Sequence, residues 1–255
     1  METYHECLIS IFGQVQEVTG GDYALVHLFE ESEAYYHLFE RALRQGRTVI
    51  LDNSIFELGM AFDTDSYIDW ILKLKPTYYI IPDVLEDKDA TLANLEKWDM
   101  SIPGRTISVV QGKTFNEVKE CYLEMVDKVD KVAFSFDYCF FDSDESHNKY
   151  YNYMVGRVDM LRRLVEEGVI DTSKPHHLLG CGLPQEFSFY KDYDWVESVD
   201  TSNPVVAGLK GWEYGPNGLD DKPSQKLFTM INEDVSEEKL ELVLRNINSF
   251  KKICG

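Results

Sequence analysis

The sequence predicts an α/β fold, a TIM-type (β/α)8 barrel with an irregular last strand. Three observations predict it. Past residue 20, short runs rich in β-branched and aromatic residues alternate with amphipathic segments. The strand runs are near-continuously apolar, as in a parallel sheet covered on both faces. Seven such units follow one another, which favours a closed barrel over an open sheet. A chain of 255 residues suits one barrel of this size, so a single domain over 1–255 is expected.

Taken in order, the expected strands are 23–29 (YALVHLF), 48–52 (TVILD), 78–83 (YYIIPD), 106–112 (TISVVQG), 131–136 (KVAFSF), 176–182 (HHLLGCG) and 195–200 (WVESVD). Helical periodicity falls between them, over 32–45, 64–74, 87–97, 114–128 and 150–168, with a short segment at 184–190. The segment LFTMI (227–231) is a weak candidate for the eighth strand, and SEEKLELVLRNINSFKKI reads as the closing helix. The stretch 203–226 is rich in Gly and Pro and too long for a simple barrel loop, which suggests a functional role. In the acidic, aromatic stretch 136–153, Asp142, Asp144, Glu145 and His147 make either a metal site or a solvated acidic loop, and the second is favoured.

Composition narrows the classes. Hydrophobic residues make up 44% and aromatics 13%, as in globular proteins, and no apolar run approaches the roughly 18 to 20 residues of a membrane span. The N-terminal METYHECLIS has neither the basic start nor the apolar stretch of a signal peptide, so a soluble, cytoplasmic protein is expected. Five scattered cysteines without a C-x-x-C argue against a disulfide framework and against a Cys-rich zinc site. With 45 acidic against 25 basic residues the formal charge is -20, which opposes a phosphate backbone. No dinucleotide or phosphate-loop signature is present, and neither cofactor nor metal is expected.

The chemistry concentrates at the carboxyl ends of strands, the rim where barrels carry their sites. Asp52, Asp83, Gln111 and Asp200 each follow a strongly apolar run. Each alone reads equally well as an Asx-turn or a helix N-cap. Four on one rim point instead to a shared pocket. Two convergent carboxylates suit displacement at an anomeric carbon, one attacking and one carrying a proton to the leaving group. A further Asp and a Gln match the donor and acceptor edge of guanine.

The ordered motifs LDNSIFELG, PDVLEDKDATLANLEKW, SVVQGKTFNEVKECYLEM, HHLLGCGLPQEF and VESVDTSNP resemble those of the tRNA-guanine transglycosylase superfamily, over roughly residues 45–205. That family exchanges guanine in nucleic acid for a 7-deazaguanine on a TIM-type barrel. The resemblance implies that Asp200 is the nucleophile and Asp52 the general acid/base. It implies that Asp83 and Gln111, with Gly112 behind it, read the base. Phe56 and Leu179, the latter followed by Gly180, would cover its two faces. Ser135 and Phe136 stand where the family has glycines that meet the base. The family's basic stretch after the nucleophile reads SNPVVAGLKGW here, and its zinc module is absent, since only Cys254 follows Asp200.

A barrel without that module is closest in type to the phage and bacterial relatives that insert 7-deazaguanines into DNA. The expected partners are DNA, single-stranded or unpaired by preference, and a free 7-deazaguanine base, with tRNA less favoured and no membrane. A phage-encoded member would work in the host cytoplasm. The basic track for DNA would draw on Lys88, Lys113, Arg157, Arg162, Arg163, Lys210 and Lys222. Two other readings stay open: base exchange or glycosidic cleavage on a free nucleoside or nucleotide, and a non-catalytic acidic binding protein.

Overall fold

The computed structural model describes residues 1–60, 62–142 and 148–255; Asp144, Glu145 and His147 of the candidate acidic loop lie outside them. Eight parallel strands form one sheet: β1 (Glu2–Tyr4), β2 (Gly21–Leu25), β3 (Thr48–Asp52), β4 (Tyr78–Ile80), β5 (Arg105–Val110), β6 (Lys131–Phe134), β7 (His176–Leu178) and β8 (Val196–Asp200). They run β1-β8-β7-β6-β5-β4-β3-β2 and curl into a nearly closed barrel of the TIM type, in which β1 lies beside β2 without a ladder between them.

The missing strand is therefore at the N-terminus. The strand sought over 227–231 is instead a 3-10 turn, Leu227–Met230. β1 spans three residues, too few to carry a periodic signal, and it is fixed by partners far along the chain. Glu2, Thr3 and Tyr4 register with Ser198, Val199 and Asp200 of β8, and His5 Nδ1 lies 2.7 Å from the Thr201 carbonyl oxygen. At the open seam the Tyr4 ring packs over Gly21, where an added Cβ would come within 2.2 Å of Tyr4 Cε1 and 2.8 Å of the Thr48 carbonyl.

Several strands stop short of the expected ends. The run expected to continue to residue 29 turns helical at α1 of the β2–β3 crossover (His27–Glu31), directly followed by α2 (Glu33–Arg44), whose N-cap Ser32 accepts from the Tyr35 N–H. The crossovers up to β7 carry α3 (Ile55–Leu58), α4 (Thr64–Leu74), α5 (Lys88–Lys97), α6 (Phe115–Met125) and α7 (Lys149–Glu166), and α8 (Asn203–Leu209) follows β8. A shorter helix, Phe12–Val18, joins β1 to β2, and α9 (Glu237–Cys254) closes the chain. The 184–190 segment is a 3-10 helix, Pro184–Tyr190.

The apolar faces of these helices meet the sheet in one continuous core, with Ile50, Leu51, Val109, Val110, Val132 and Val199 almost fully buried. Among the described residues no helix is long and apolar enough to cross a membrane.

Candidate active site

The helix caps decide between the two meanings of the strand-end residues. Asp63 caps α4, Asp87 caps α5 and Thr114 caps α6, each accepting a backbone N–H at 3.0 to 3.2 Å. Asp83 and Gln111 are thus released from capping; they lie just beyond the ends of β4 and β5 and face inward, both almost fully buried. Asp52 does make an Asx-turn, its Oδ1 accepting from the Ser54 N–H, yet its Oδ2 is left to face the barrel axis, where it accepts from the Tyr23 hydroxyl at 2.6 Å.

Asp52, Asp83, Gln111, Ser135, Leu179, Gly180, Asp200 and Phe56 all line one cavity of about 370 Å³ at the carboxyl rim. Gly112 does not line it. Gly112 sits against α6, where a Cβ would meet Glu117 Cβ and the Val118 nitrogen at 2.8 Å, so its role is to let the loop after β5 press on the helix.

Each polar group is oriented. Asp83 accepts from Asn53 Nδ2 at 2.8 Å on one oxygen and from Gln111 Nε2 at 2.6 Å on the other. Gln111 Oε1 accepts from the Glu86 N–H at 2.9 Å, which fixes which end of the carboxamide is the donor. Asp200 Oδ1 lies 3.0 Å from His177 Nε2 and accepts from the Gly180 N–H at 3.3 Å; among the described residues nothing hydrogen-bonds Oδ2. The Tyr23 and His177 rings run nearly parallel with centroids 6.3 Å apart. A tyrosine holding Asp52 and a histidine holding Asp200 thus stand side by side.

The turn after β7 that offers the Gly180 N–H is itself pinned by Arg157 of α7, which donates to the Leu179 carbonyl at 2.8 Å and the Gly180 carbonyl at 3.0 Å and pairs with Glu186. Gly180 has φ +64°, and a Cβ there would reach within 2.4 Å of Phe136 Cδ1. Ser54 occupies the left-handed region at φ 61° without being glycine, a local strain in the turn that aims Asp52. The aromatic wall is Phe56 and Phe136, centroids 5.9 Å apart, and Ser135 Oγ donates to Asp137 at 2.7 Å.

Glu6, Tyr23, Glu57, Asp137 and Lys226 also line the cavity, and none of them stands out in the sequence. Burial, followed by the nearby Glu57 charge, pushes the Asp52 carboxyl well above the usual range, against the Tyr23 and Ser54 hydrogen bonds. Burial, then Asp200, raises Glu57 to about 7, and its Oε2 is buried without a partner. Burial and the Glu57, Asp200 and Asp52 charges raise Glu6 as well. Burial also raises Asp83, opposed by its two amide donors, and lowers His177, opposed by Asp200, which favours a neutral imidazole. Like charges crowded into one cavity hold protons at neutral pH, which is the state a general acid needs.

The candidates for a basic track do not gather at the cavity. Arg157 is fully buried, Lys88 pairs with Glu120 at 2.7 Å, Arg162 with Asp159 at 2.9 Å and Arg163 with Glu167 at 2.7 Å. Lys113 and Lys210 are exposed outside the cavity, and of the seven candidates only Lys222 lines it. Asp142, the one described member of the candidate metal set, accepts from Asn152 Nδ2 at 3.0 Å. Neither a scan against protein-family models nor a search of curated proteins finds a match to this chain. Fold and site together define a (β/α)8 barrel with a carboxylate-rich pocket at its carboxyl rim.

Proposed function

We propose that the protein is a base-exchange transglycosylase that replaces guanine in a nucleotide chain, DNA before tRNA, with a 7-deazaguanine. The observation that carries this reading is the convergence of Asp52, Asp83, Gln111 and Asp200 on one cavity, with one Asp200 oxygen held and the other free. Asp200 Oδ2 attacks C1′ of the sugar as the bond from C1′ to the base nitrogen breaks, and the Asp52 carboxyl gives its proton to the departing guanine. The sugar is then esterified to Asp200. The incoming 7-deazaguanine loses its ring N–H proton to the Asp52 carboxylate and attacks C1′, and Asp200 is released.

Asp83 and Gln111 supply the hydrogen-bonding edge for base identity, and Phe56 supplies a ring for its face. Glu57 extends the proton reserve beside Asp52. A second reading, exchange on a free nucleotide, is favoured by the residues of 222–228 that close one side of the cavity and by the net charge of -20.

The test is exchange of labelled guanine into single-stranded DNA, duplex DNA, tRNA, deoxyguanosine and its monophosphate across a salt series. The DNA reading expects single strands to outpace duplex, since flipping a base out costs a few kcal/mol, and expects binding to weaken steeply with salt. Labelling of tRNA alone would overturn it, and salt-independent turnover of the small substrates would promote the second reading.

A further inference from the structure

We propose that Lys222 is a phosphate-binding residue of this cavity and that the phosphate it takes belongs to a nucleoside monophosphate. The inference rests on the second reading above, base exchange on a free nucleotide, for the nucleoside part of the ligand, and on Lys222 itself for the phosphate. Lys73, Lys149 and Lys226, which lie over rings, are exposed, whereas among the described residues the lysines that are half-buried or buried elsewhere find an oxygen: Lys88 meets Glu120, Lys119 meets Glu167 and Lys131 meets Glu197 at 2.7 to 3.2 Å, and Lys174 donates to a backbone carbonyl at 2.6 Å.

Lys222 does not. Among the described residues its Nζ makes no hydrogen bond and no ion pair, although six carboxylates line the same cavity. It lies over two rings instead, 3.9 Å from the centre of Phe136 and 5.7 Å from that of Tyr150. Ring faces hold a cation in place yet leave its N–H donors unspent. Burial also lowers its pKa, a cost that an anionic ligand relieves.

Its position is set in advance. Gln185 clamps Leu219 through two hydrogen bonds at 2.8 and 3.1 Å, and Asn148 Nδ2 donates to the Asp220 carbonyl at 3.3 Å, so the backbone just before Lys222 is tied to the barrel rim on both sides. Ser224 and Lys226 line the cavity from the same segment and add a hydroxyl and a second ammonium. A cavity of about 370 Å³ holds a mononucleotide but encloses no polymer. In a chain of net charge -20, a single phosphate is also admitted more readily than a long polyanion.

The test is equilibrium binding by calorimetry, with no turnover required, of deoxyguanosine monophosphate, deoxyguanosine and a short guanine-containing single strand. It is run on the wild type, Lys222→Met and Lys222→Arg, with urea unfolding as the check on folding. The wild type is expected to favour the monophosphate over the nucleoside by about tenfold or more, as a charge-assisted contact gives. That ratio should fall to near one in Lys222→Met and return in Lys222→Arg.

Equal affinities in the wild type, no binding of either small ligand, or an unchanged ratio in a folded Lys222→Met would each overturn the proposal. So would a Lys222-dependent preference for the single strand over the monophosphate, which would assign the phosphate to a polymer. A Lys222-dependent ratio without base exchange would sink the transglycosylase reading and leave the phosphate site standing. Exchange without the ratio would do the reverse.

Discussion

Removing the Asp83 carboxylate strands the buried Gln111 Nε2 and leaves the buried Asn53 Nδ2 with only a long 3.4 Å contact to the Ile81 carbonyl. Each unsatisfied buried donor costs roughly 1 to 3 kcal/mol. Asp83→Ala is therefore expected to lower unfolding stability by about 2 kcal/mol or more, and to lose guanine binding as well, because Gln111 is then free to turn. The family resemblance implies a base-reading role for Asp83; the network gives its carboxylate a structural role as well. Urea unfolding decides, and a stability loss under about 0.5 kcal/mol would mean that Gln111 Nε2 finds another acceptor and that the Ile81 carbonyl suffices for Asn53. The strand-end polar residues are legible because each breaks an apolar run. Tyr23 is hidden inside such a run, Glu57 reads as the polar face of a short helix, and Lys222 is legible as a basic residue but its place in the cavity is not, since no periodicity encodes the course of its Gly- and Pro-rich stretch.

Strand β1 shows the same limit at the scale of an element. Most helices are readable to within a few residues, since caps and amphipathic spacing are local signals. A three-residue strand has neither, and its place is set by pairing with β8 nearly two hundred residues away. What fixes the seam is Gly21 under the Tyr4 ring. Gly21→Ala must push against the Thr48 backbone carbonyl as well as the ring, so a loss of about 1 to 3 kcal/mol is expected from overpacking. Gly13, in the exposed first turn of the helix Phe12–Val18, has nothing within 4 Å of an added Cβ. Gly13→Ala should leave stability unchanged or raise it by up to about 1 kcal/mol. Thermal unfolding of the pair checks the seam; equal behaviour of the two variants would show that Tyr4 does not close it.

For the whole molecule, the cavity acids tie stability to pH. Glu57 has an ordinary value of 4.5 and is raised to about 7 in the fold, with Asp52 and Glu6 raised in the same direction. The folded state keeps these protons at a pH where the unfolded chain has lost them, so the Glu57 contribution falls as pH rises between about 4.5 and about 7, and Asp52 and Glu6 act in the same direction. The net charge of -20 adds repulsion in the same direction. Buried His5, His176 and His177, lowered by burial, pull the other way below about pH 6.5, so the acid cluster is read from a difference: between pH 5 and pH 8 the melting temperature of Glu57→Gln should fall less, or rise more, than that of the wild type. An identical pH slope in Glu57→Gln and the wild type would contradict the protonated cluster.

The central claim is that Asp200 forms a bond to the sugar. Intact-protein mass spectrometry after rapid acid quench, with single-stranded DNA, deoxyguanosine monophosphate and deoxyguanosine offered separately, tests it directly. The account predicts an adduct of the base-free sugar on the wild type with at least one substrate, mapped to the peptide containing Asp200. It also predicts that the adduct is lost in a folded Asp200→Asn variant and discharged by added 7-deazaguanine. An adduct mapped to another residue, or one that persists in Asp200→Asn, would contradict the account.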